Sequence, residues 1–338
     1  MRLLPAPEAL DFAAGVRELL ERSCDAEALR AGWDADDARV PGLWKRLADV
    51  GALGLVVPEQ HGGSGMDLTA LVPVLVELGR AAAPEPVAAT LAVAHLLAAT
   101  GGAAADEWLP RIAAGEAVAA IGEGDPAVMA GAQWADVAVL AAGSDARLLR
   151  RDEVDVTAQP SLDRGVGLGL VAARAAGDVL AGADALAAFD FACVAVAAEL
   201  VGLAQAMVEM SVRYAQAREQ FGKPIGSFQA VKHQLADAYV ANSFALPVVH
   251  RAAWSVAHAL PSRARDASHA KHAASAAAER AARTALQVHA GIGYTYEHEL
   301  HMWMKRTWTL ASQWGDPGLH RRRVTAAVLA DNPPPRVP

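Results

Sequence analysis

The chain has almost no cysteine. Cys24 and Cys193 are the only two in 338 residues, and they lie far apart. Without CxxC spacing they offer neither a disulfide framework nor a thiolate zinc site. Basic residues are also scarce: 30 Lys and Arg against 38 Asp and Glu leave a formal net charge of −8. That balance excludes a basic footprint for nucleic acid. Lys and Arg are dispersed, which argues against an anionic membrane surface as partner. No apolar run reaches about 18 residues without a charge, a glycine or a polar break, the length a membrane span needs. No leader pattern opens the sequence. These absences predict a cytoplasmic protein with no membrane or nucleic-acid partner. What the chain does have is apolar bulk, 53% hydrophobic against 20% charged residues. That is enough for two or three packed domains and a large core.

Hydrophobic periodicity divides the chain into three zones. Residues 1–115 read as a helical domain. Leu43, Leu47 and Val50 fall at helical spacing after Val40-Pro41-Gly42, and Leu68 to Arg80 continues the pattern. Pro84 and Pro86 interrupt it, and Val87 to Ala99 resumes it. Residues 116–188 change period. Short apolar runs at Ala117–Ile121, Val137–Ala141, Val154–Thr157 and Leu168–Ala173 are separated by Gly, Asp and Pro, the pattern of small strands and turns. Residues 189–330 return to long helical segments. Asp331-Asn332-Pro333-Pro334-Pro335 ends them, and 331–338 reads as a tail.

The most informative run is Arg218-Glu219-Gln220-Phe221-Gly222-Lys223-Pro224-Ile225-Gly226-Ser227-Phe228-Gln229. Glycine permits a sharp bend or a close approach to a ligand. Pro224 keeps the residue before it out of helical geometry. Arg218 then has a fixed platform from which to reach a phosphate with two donors. Three further motifs are Leu53 to Gly65 (LGLVVPEQHGGSG), Trp108 to Glu116 (WLPRIAAGE) and Gln287 to His298 (QVHAGIGYTYEH). Together, in this order, the four runs resemble the acyl-CoA dehydrogenase family over nearly the whole chain. The resemblance implies a mainly α fold. A reduced β domain would lie between an N-terminal helical domain and a C-terminal four-helix bundle. It also implies flavin adenine dinucleotide as cofactor, its adenosine-pyrophosphate half reaching into a neighbouring subunit. On that template Arg218 holds the pyrophosphate, with Gln220 beside it in the same motif. Phe221 and Phe228 wall the adenine, and Gln229 and Gln287 bond polar edges. Gly291 lets backbone come close. One departure is Ala290, where the family usually has the first of two glycines.

The catalytic glutamate that the family requires is missing from both of its places. A base must accept the α proton of an acyl thioester while hydride leaves the β carbon for the flavin. After the approach Phe189-Asp190-Phe191, the early place holds Ala192, followed by Cys193. The late place falls in Ala311-Ser312-Gln313-Trp314-Gly315-Asp316-Pro317, with Trp314-Gly315 where Glu-Gly belongs. Glu297, Glu299 and Asp316 are substitutes to test, the first two reading as residues of a helix start and the third as a turn residue. His233, His289, His298 and His301 show no metal spacing. The family's flavin-ring loop is also reduced. Glu123-Gly124-Asp125-Pro126 passes directly into Ala127-Val128-Met129, and Ala142-Gly143-Ser144-Asp145 reads as a hairpin turn.

The chain therefore resembles the small, base-less subunit of actinobacterial α2β2 acyl-CoA dehydrogenases, which act on CoA thioesters of steroid side chains. A longer partner would carry the glutamate and share the flavin. Two alternatives stay open: a homotetramer with Glu297 or Glu299 as base, and a flavin-free scaffold.

Overall fold

The computed structural model describes residues 4–35 and 38–331, so the predicted tail beyond Asp331 lies outside the described residues. The N-terminal zone holds α1 (Pro7–Ser23), α2 (Ala26–Asp34), α3 (Leu43–Asp49), α4 (Leu68–Arg80), α5 (Val87–Thr100) and α6 (Gly102–Ala113). Local chemistry sets their starts. Asp25 and Asp67 accept the first free amides of α2 and α4, and Pro7 opens α1, where its missing N–H costs nothing. As the periodicity predicts, α4 ends at Arg80 and α5 begins just beyond Pro86.

The middle zone folds into two small sheets. In the first, β1 (Ala119–Glu123) pairs parallel with β3 (Val137–Ala142). β3 pairs antiparallel with β4 (Asp145–Arg150), which pairs with β7 (Asp178–Val179). In the second, β6 (Gly169–Ala173) lies between β2 (Ala127–Met129) and β5 (Val154–Ala158). Ala120, Met129, Leu140, Leu149 and Val171 belong to a separate apolar cluster of this zone. Gly143-Ser144 is the predicted turn, now seen between β3 and β4, with Gly143 at φ 66°. β4 escaped the sequence reading because its inward residues, Ala146, Leu148 and Leu149, are interleaved with Asp145, Arg147 and Arg150.

The C-terminal bundle is built from α7 (Ala185–Ala217), α8 (Gln229–Ala257), α9 (Arg263–His289), α10 (Leu300–Ser312) and α11 (Pro317–Asp331) among the described residues. α7, α8 and α9 pack on one another, while α10 and α11 close the assembly against α9. α7 is long and apolar enough to cross a membrane by length and composition, yet 83% of that window is buried inside the protein. It is the helix around which the rest is packed. Its start is pinned by Asp190, fully buried between Arg263 (3.1 Å) and Arg323 (3.0 Å).

One crossing brings two helix backbones into direct contact. Where α4 crosses α7, Gly79 lies against the backbone oxygen of Glu199, and Gly202 against that of Val76. A Cβ on either glycine would stand 1.9 Å from that oxygen. The two backbones touch because neither glycine carries a side chain.

Candidate functional site

The residues from Arg218 to Gln229 do not form a plain corner between helices. β8 (Glu219–Gln220) and β9 (Lys223–Pro224) make a two-residue hairpin whose turn residues, Phe221 and Gly222, have φ of 55° and 76°. Positive φ at both positions is the geometry of the tight turns whose twist matches paired strands. Glycine adopts it freely; a bulky aromatic there is a genuine outlier. Phe221 is also 92% exposed, and its ring meets Phe228 edge to face at 6.1 Å. Lys223 Nζ sits 4.5 Å over the Phe228 ring. The Ile225 amide donates to the Arg218 carbonyl at 2.8 Å, which closes the loop on itself.

The polar groups of this loop are left facing outward. Arg218 is exposed and makes no ion pair or side-chain hydrogen bond among the described residues. Gln229, at the first turn of α8, and Gln287, in the last turn of α9, are exposed in the same way. Gln220 bends back to donate to the neighbouring Glu219 carbonyl at 2.8 Å. The structure brings the two motifs together through Tyr214, one turn before Arg218, which stacks on His289 at 4.5 Å. His298 completes that contact, 4.6 Å from His289. His301 packs instead against Trp33 and Tyr296, and no group of metal-ligating residues forms among the described residues.

At the end of α9 the special backbone falls on Ala290, not on Gly291. Ala290 has φ 52° and ψ −133°, a conformation suited to glycine. Gly291 is not among the positive-φ residues, and a Cβ there would meet nothing within 4 Å. Nothing within the chain demands a glycine at Gly291. Such backbone strain costs on the order of 1–3 kcal/mol. Replacing Ala290 with glycine should relieve it, less about 0.5–1 kcal/mol of chain entropy. The expected net is a gain of about 1 kcal/mol in urea unfolding. A loss of stability in Ala290→Gly would mean the methyl group has a packing role.

A cleft of about 600 Å³ lies between the sheets and α10. Its walls include Ile121, Met129, Leu168, Phe189, Trp308 and Trp314. A smaller inner chamber of about 30 Å³ shares Ala130, Gln313 and Trp314 with it, and is lined further in by Val196, Glu199, Arg306 and Leu310. Phe189, Val196 and Glu199 recur at positions i, i+7 and i+10, so one face of α7 runs from the outer cleft to the inner chamber. The loop carrying Trp314 is held from beneath. The buried Lys271 ammonium donates to the carbonyls of Ala311 (3.0 Å) and Gly315 (3.4 Å). The Trp314 carbonyl accepts from Cys193 Sγ at 3.6 Å and lies 2.8 Å from His320 Nε2. Burial lowers the Lys271 pKa to about 8 and the His320 pKa to about 4.

None of the three substitute carboxylates lines this cleft. Glu297 is exposed, and Glu299 belongs to a different, charged hollow beside Arg17 and Arg80. Asp316 caps α11, accepting the Leu319 amide at 2.6 Å, which lowers its pKa. Asp125, in the reduced loop, is engaged by Arg147 and by the Ala173 amide.

Glu199 is the carboxylate that sequence reasoning passed over. It is buried in the chamber wall, and its carboxyl makes no hydrogen bond among the described residues. Burial pushes its pKa up to about 7, against the opposing pull of Arg306. Its sequence signal is that it stands alone, the only charge on α7 between Asp190 and Glu209. Because the folded pKa is raised, the stability tied to this group is complete at acid pH. It is lost as pH rises from the unfolded value of 4.5 through about 7. Glu199→Gln should therefore unfold like the native chain below pH 4. At pH 8 it should be more stable by ~3 kcal/mol, at 1.36 kcal/mol per pKa unit. Parallel stability–pH curves for the two chains would refute a raised pKa.

Residues 6–116 match the acyl-CoA dehydrogenase N-terminal domain, and residues 182–329 match the acyl-CoA dehydrogenase C-terminal domain. The chain belongs to the acyl-CoA dehydrogenase family. Among its relatives, acyl-CoA dehydrogenase IpdE2 of Mycolicibacterium smegmatis is 34% identical over 320 residues, covering 93% of this chain and 96% of the relative. IpdE2 of Mycobacterium tuberculosis is also 34% identical, over 96% of this chain and 99% of its own length. The solved ChsE4–ChsE5 complex from Mycobacterium tuberculosis contains a chain that superposes with a TM-score of 0.87 at 25% identity, covering 99% of this chain and 100% of that one. A chain of the Tcur3481–Tcur3483 steroid ACAD G363A variant shares the fold with a TM-score of 0.88 at 24% identity, over 96% of this chain and 98% of that one.

Proposed function

We propose that this chain is a subunit of a flavin-dependent acyl-CoA dehydrogenase. It completes the adenosine-pyrophosphate end of a flavin site whose catalytic glutamate belongs to a longer partner, in an α2β2 assembly. Arg218 carries the reading. It is a guanidinium without an ion pair or side-chain hydrogen bond among the described residues, held on a closed loop beside a Phe221 in a strained, outward conformation. Exposed donors are satisfied by water and stay free to exchange it for a ligand's acceptors. Here Arg218, Gln229 and Gln287 point outward together, as expected of groups whose acceptors belong to another molecule. Those residues fit a dinucleotide: a guanidinium for the pyrophosphate, aromatic rings for the adenine, amides for polar edges. When bound, the flavin accepts the hydride; this chain holds and orients its far end.

Two observations support the assignment of the base to the partner. Ala192 is fully buried and cannot take a proton, and Glu297, Glu299 and Asp316 all lie away from the cleft. Glu199 stands seven residues beyond Ala192, about 10 Å farther along the helix axis, too deep to serve the same reacting carbon. The relatives act as acyl-CoA dehydrogenases, and one fold relative is a steroid enzyme, which favours a CoA thioester of a steroid side chain as substrate. The division at residues 115, 188 and 330 belongs to the same reading, as does a cytoplasmic location.

The test is flavin content. Expressed alone, the chain should hold little flavin; copurified with its partner it should carry one flavin per pair. In that complex, changing Glu297, Glu299 or Asp316 to the amide should leave single-turnover flavin reduction within about threefold, under 1 kcal/mol in barrier. Loss of a true base costs about a hundred-fold or more. Stoichiometric flavin in the isolated chain, or a hundred-fold loss from any one amide, would overturn the proposal.

A further inference from the structure

We infer that His289 is a positioning residue for the adenosine-pyrophosphate end. As a neutral imidazole it latches the Arg218 loop to the Gln287–Gly291 segment; as a cation it lets the two part. The inference rests on the proposed function for the meaning of that end, and it adds how the chain itself regulates it.

The two motifs come from different helices, and one ring joins them. His289 is the last residue of α9 and is 1% exposed. Its ring stacks on Tyr214 of α7, at 4.5 Å and 28°, one turn before Arg218. It also meets His298 at 4.6 Å. The turn at 290–294 closes over it: a Cβ on Gly293 would stand 3.1 Å from the His289 Cβ. Hydrogen bonding sets which nitrogen holds the hydrogen. Nδ1 lies 2.8 Å from the Ala285 carbonyl, which can only accept, so Nδ1 carries it. Nε2 is then a bare lone pair, buried without a partner among the described residues. The Nδ1 of His298 accepts the Leu300 amide at 3.1 Å, so that nitrogen is bare as well.

A proton on His289 Nε2 would be a buried donor without an acceptor, on a cation taken out of water. Stacking on Tyr214 offsets only part of that cost. Tyr214 faces the ring from α7, and His298 and Glu299 act on it from the segment before α10; beyond His298 stand His301 and Lys305 of α10 and Arg30 of α2. Glu299 alone of these attracts an imidazolium. Burial, reinforced by His298, lowers the His289 pKa below 6.5, against the Ala285 carbonyl and Glu299. The closed latch thus binds fewer protons than an opened one. It is complete above pH 6.5 and is lost as pH falls below that value. Water reaches the imidazolium most readily if the turn at 290–294 lifts from Tyr214. Ala290, Gly291, Ile292 and Tyr294 of that turn are exposed, so it can move without opening the core. Its movement shifts Gly291 and Gln287 relative to Arg218.

The experiment follows flavin retention by the copurified assembly at about pH 7.5 and about pH 5.5. Retention should weaken about tenfold on acidification, one coupled proton allowing at most about tenfold per pH unit. His289→Phe keeps a flat ring against Tyr214 but cannot take a proton. In that variant the ratio between the two pH values should shrink to within about twofold. Should the phenylalanine variant fail to fold, NMR of the native full chain gives an independent answer. The His289 ring and the amides of Arg218 and Gln287 should titrate together, with one midpoint below 6.5. Retention that ignores pH, retention that strengthens in acid, an equal acid loss in His289→Phe, or Arg218 and Gln287 amides that stay fixed while His289 titrates would overturn the inference. The NMR titration needs no flavin. Joint titration in a chain that never holds flavin would keep the latch and refute the proposed function, whereas pH-independent retention of one flavin per pair would do the reverse.

Discussion

Arg218→Ala is expected to weaken flavin retention by the copurified assembly roughly ten- to a hundred-fold. The estimate follows from losing a charge-assisted hydrogen bond, worth about 1.5–3 kcal/mol, at about 1.4 kcal/mol per decade of affinity. The guanidinium is exposed and makes no ion pair or side-chain hydrogen bond among the described residues, so its removal should leave fold and assembly unchanged. That makes the substitution unusually clean. The Ile225–Arg218 backbone bond that closes the loop does not involve the side chain and will persist. Flavin release by ultrafiltration, with assembly checked by size, is the measurement. Unchanged retention would mean that Arg218 is only a solvated residue at the end of α7.

Gly202→Ala is expected to be strongly destabilising, by about 3 kcal/mol or more. Overpacking a core typically costs about 1–3 kcal/mol. Here the obstacle is a backbone oxygen at 1.9 Å, which cannot swing aside as a flexible side chain would. α4 and α7 would have to separate, and both are almost wholly buried along this contact. The same displacement would move Glu199, three residues before Gly202 along α7, whose carbonyl rests on Gly79 of α4. Thermal unfolding with a depressed midpoint is the expected result. An alanine variant as stable as the native chain would mean that the helices can part at little cost.

Much of the fold could be read from the chain because local rules and packing agree there. The prolines at 84 and 86 separate two helices because neither can donate the backbone hydrogen bond that would carry α4 on into α5. Strands β1, β3, β5 and β6 were visible as short apolar runs. β4 was hidden, since a strand whose alternate residues are charged resembles a loop until its partners are known. At the candidate site the four motifs identified the right segments but not their conformations. The 218–229 run looked like a bend between helices. Its hairpin arises because Phe221 accepts a positive φ that residue preference alone would have denied it. Likewise the glycine in Ala290-Gly291 suggested a close approach at Gly291, whereas the chain places the demanding backbone one residue earlier.

The succession of helical, strand and helical zones and the family were determined by sequence alone. Each depends on residue type and spacing, which the chain carries wherever it goes. Tertiary structure decided what becomes of the lone charge in α7. A glutamate amid apolar residues is compatible with a salt bridge, a solvent-facing edge or a cavity. Only the crossing of Gly79 against Glu199, and the chamber left among α5, α7 and α10, selects the last. Likewise, exposure of Arg218 and burial of Lys271 cannot be told from two basic side chains in sequence. They differ because one stands at the end of α7, beyond the packed helices, while the other is enclosed against the carbonyls that end α10.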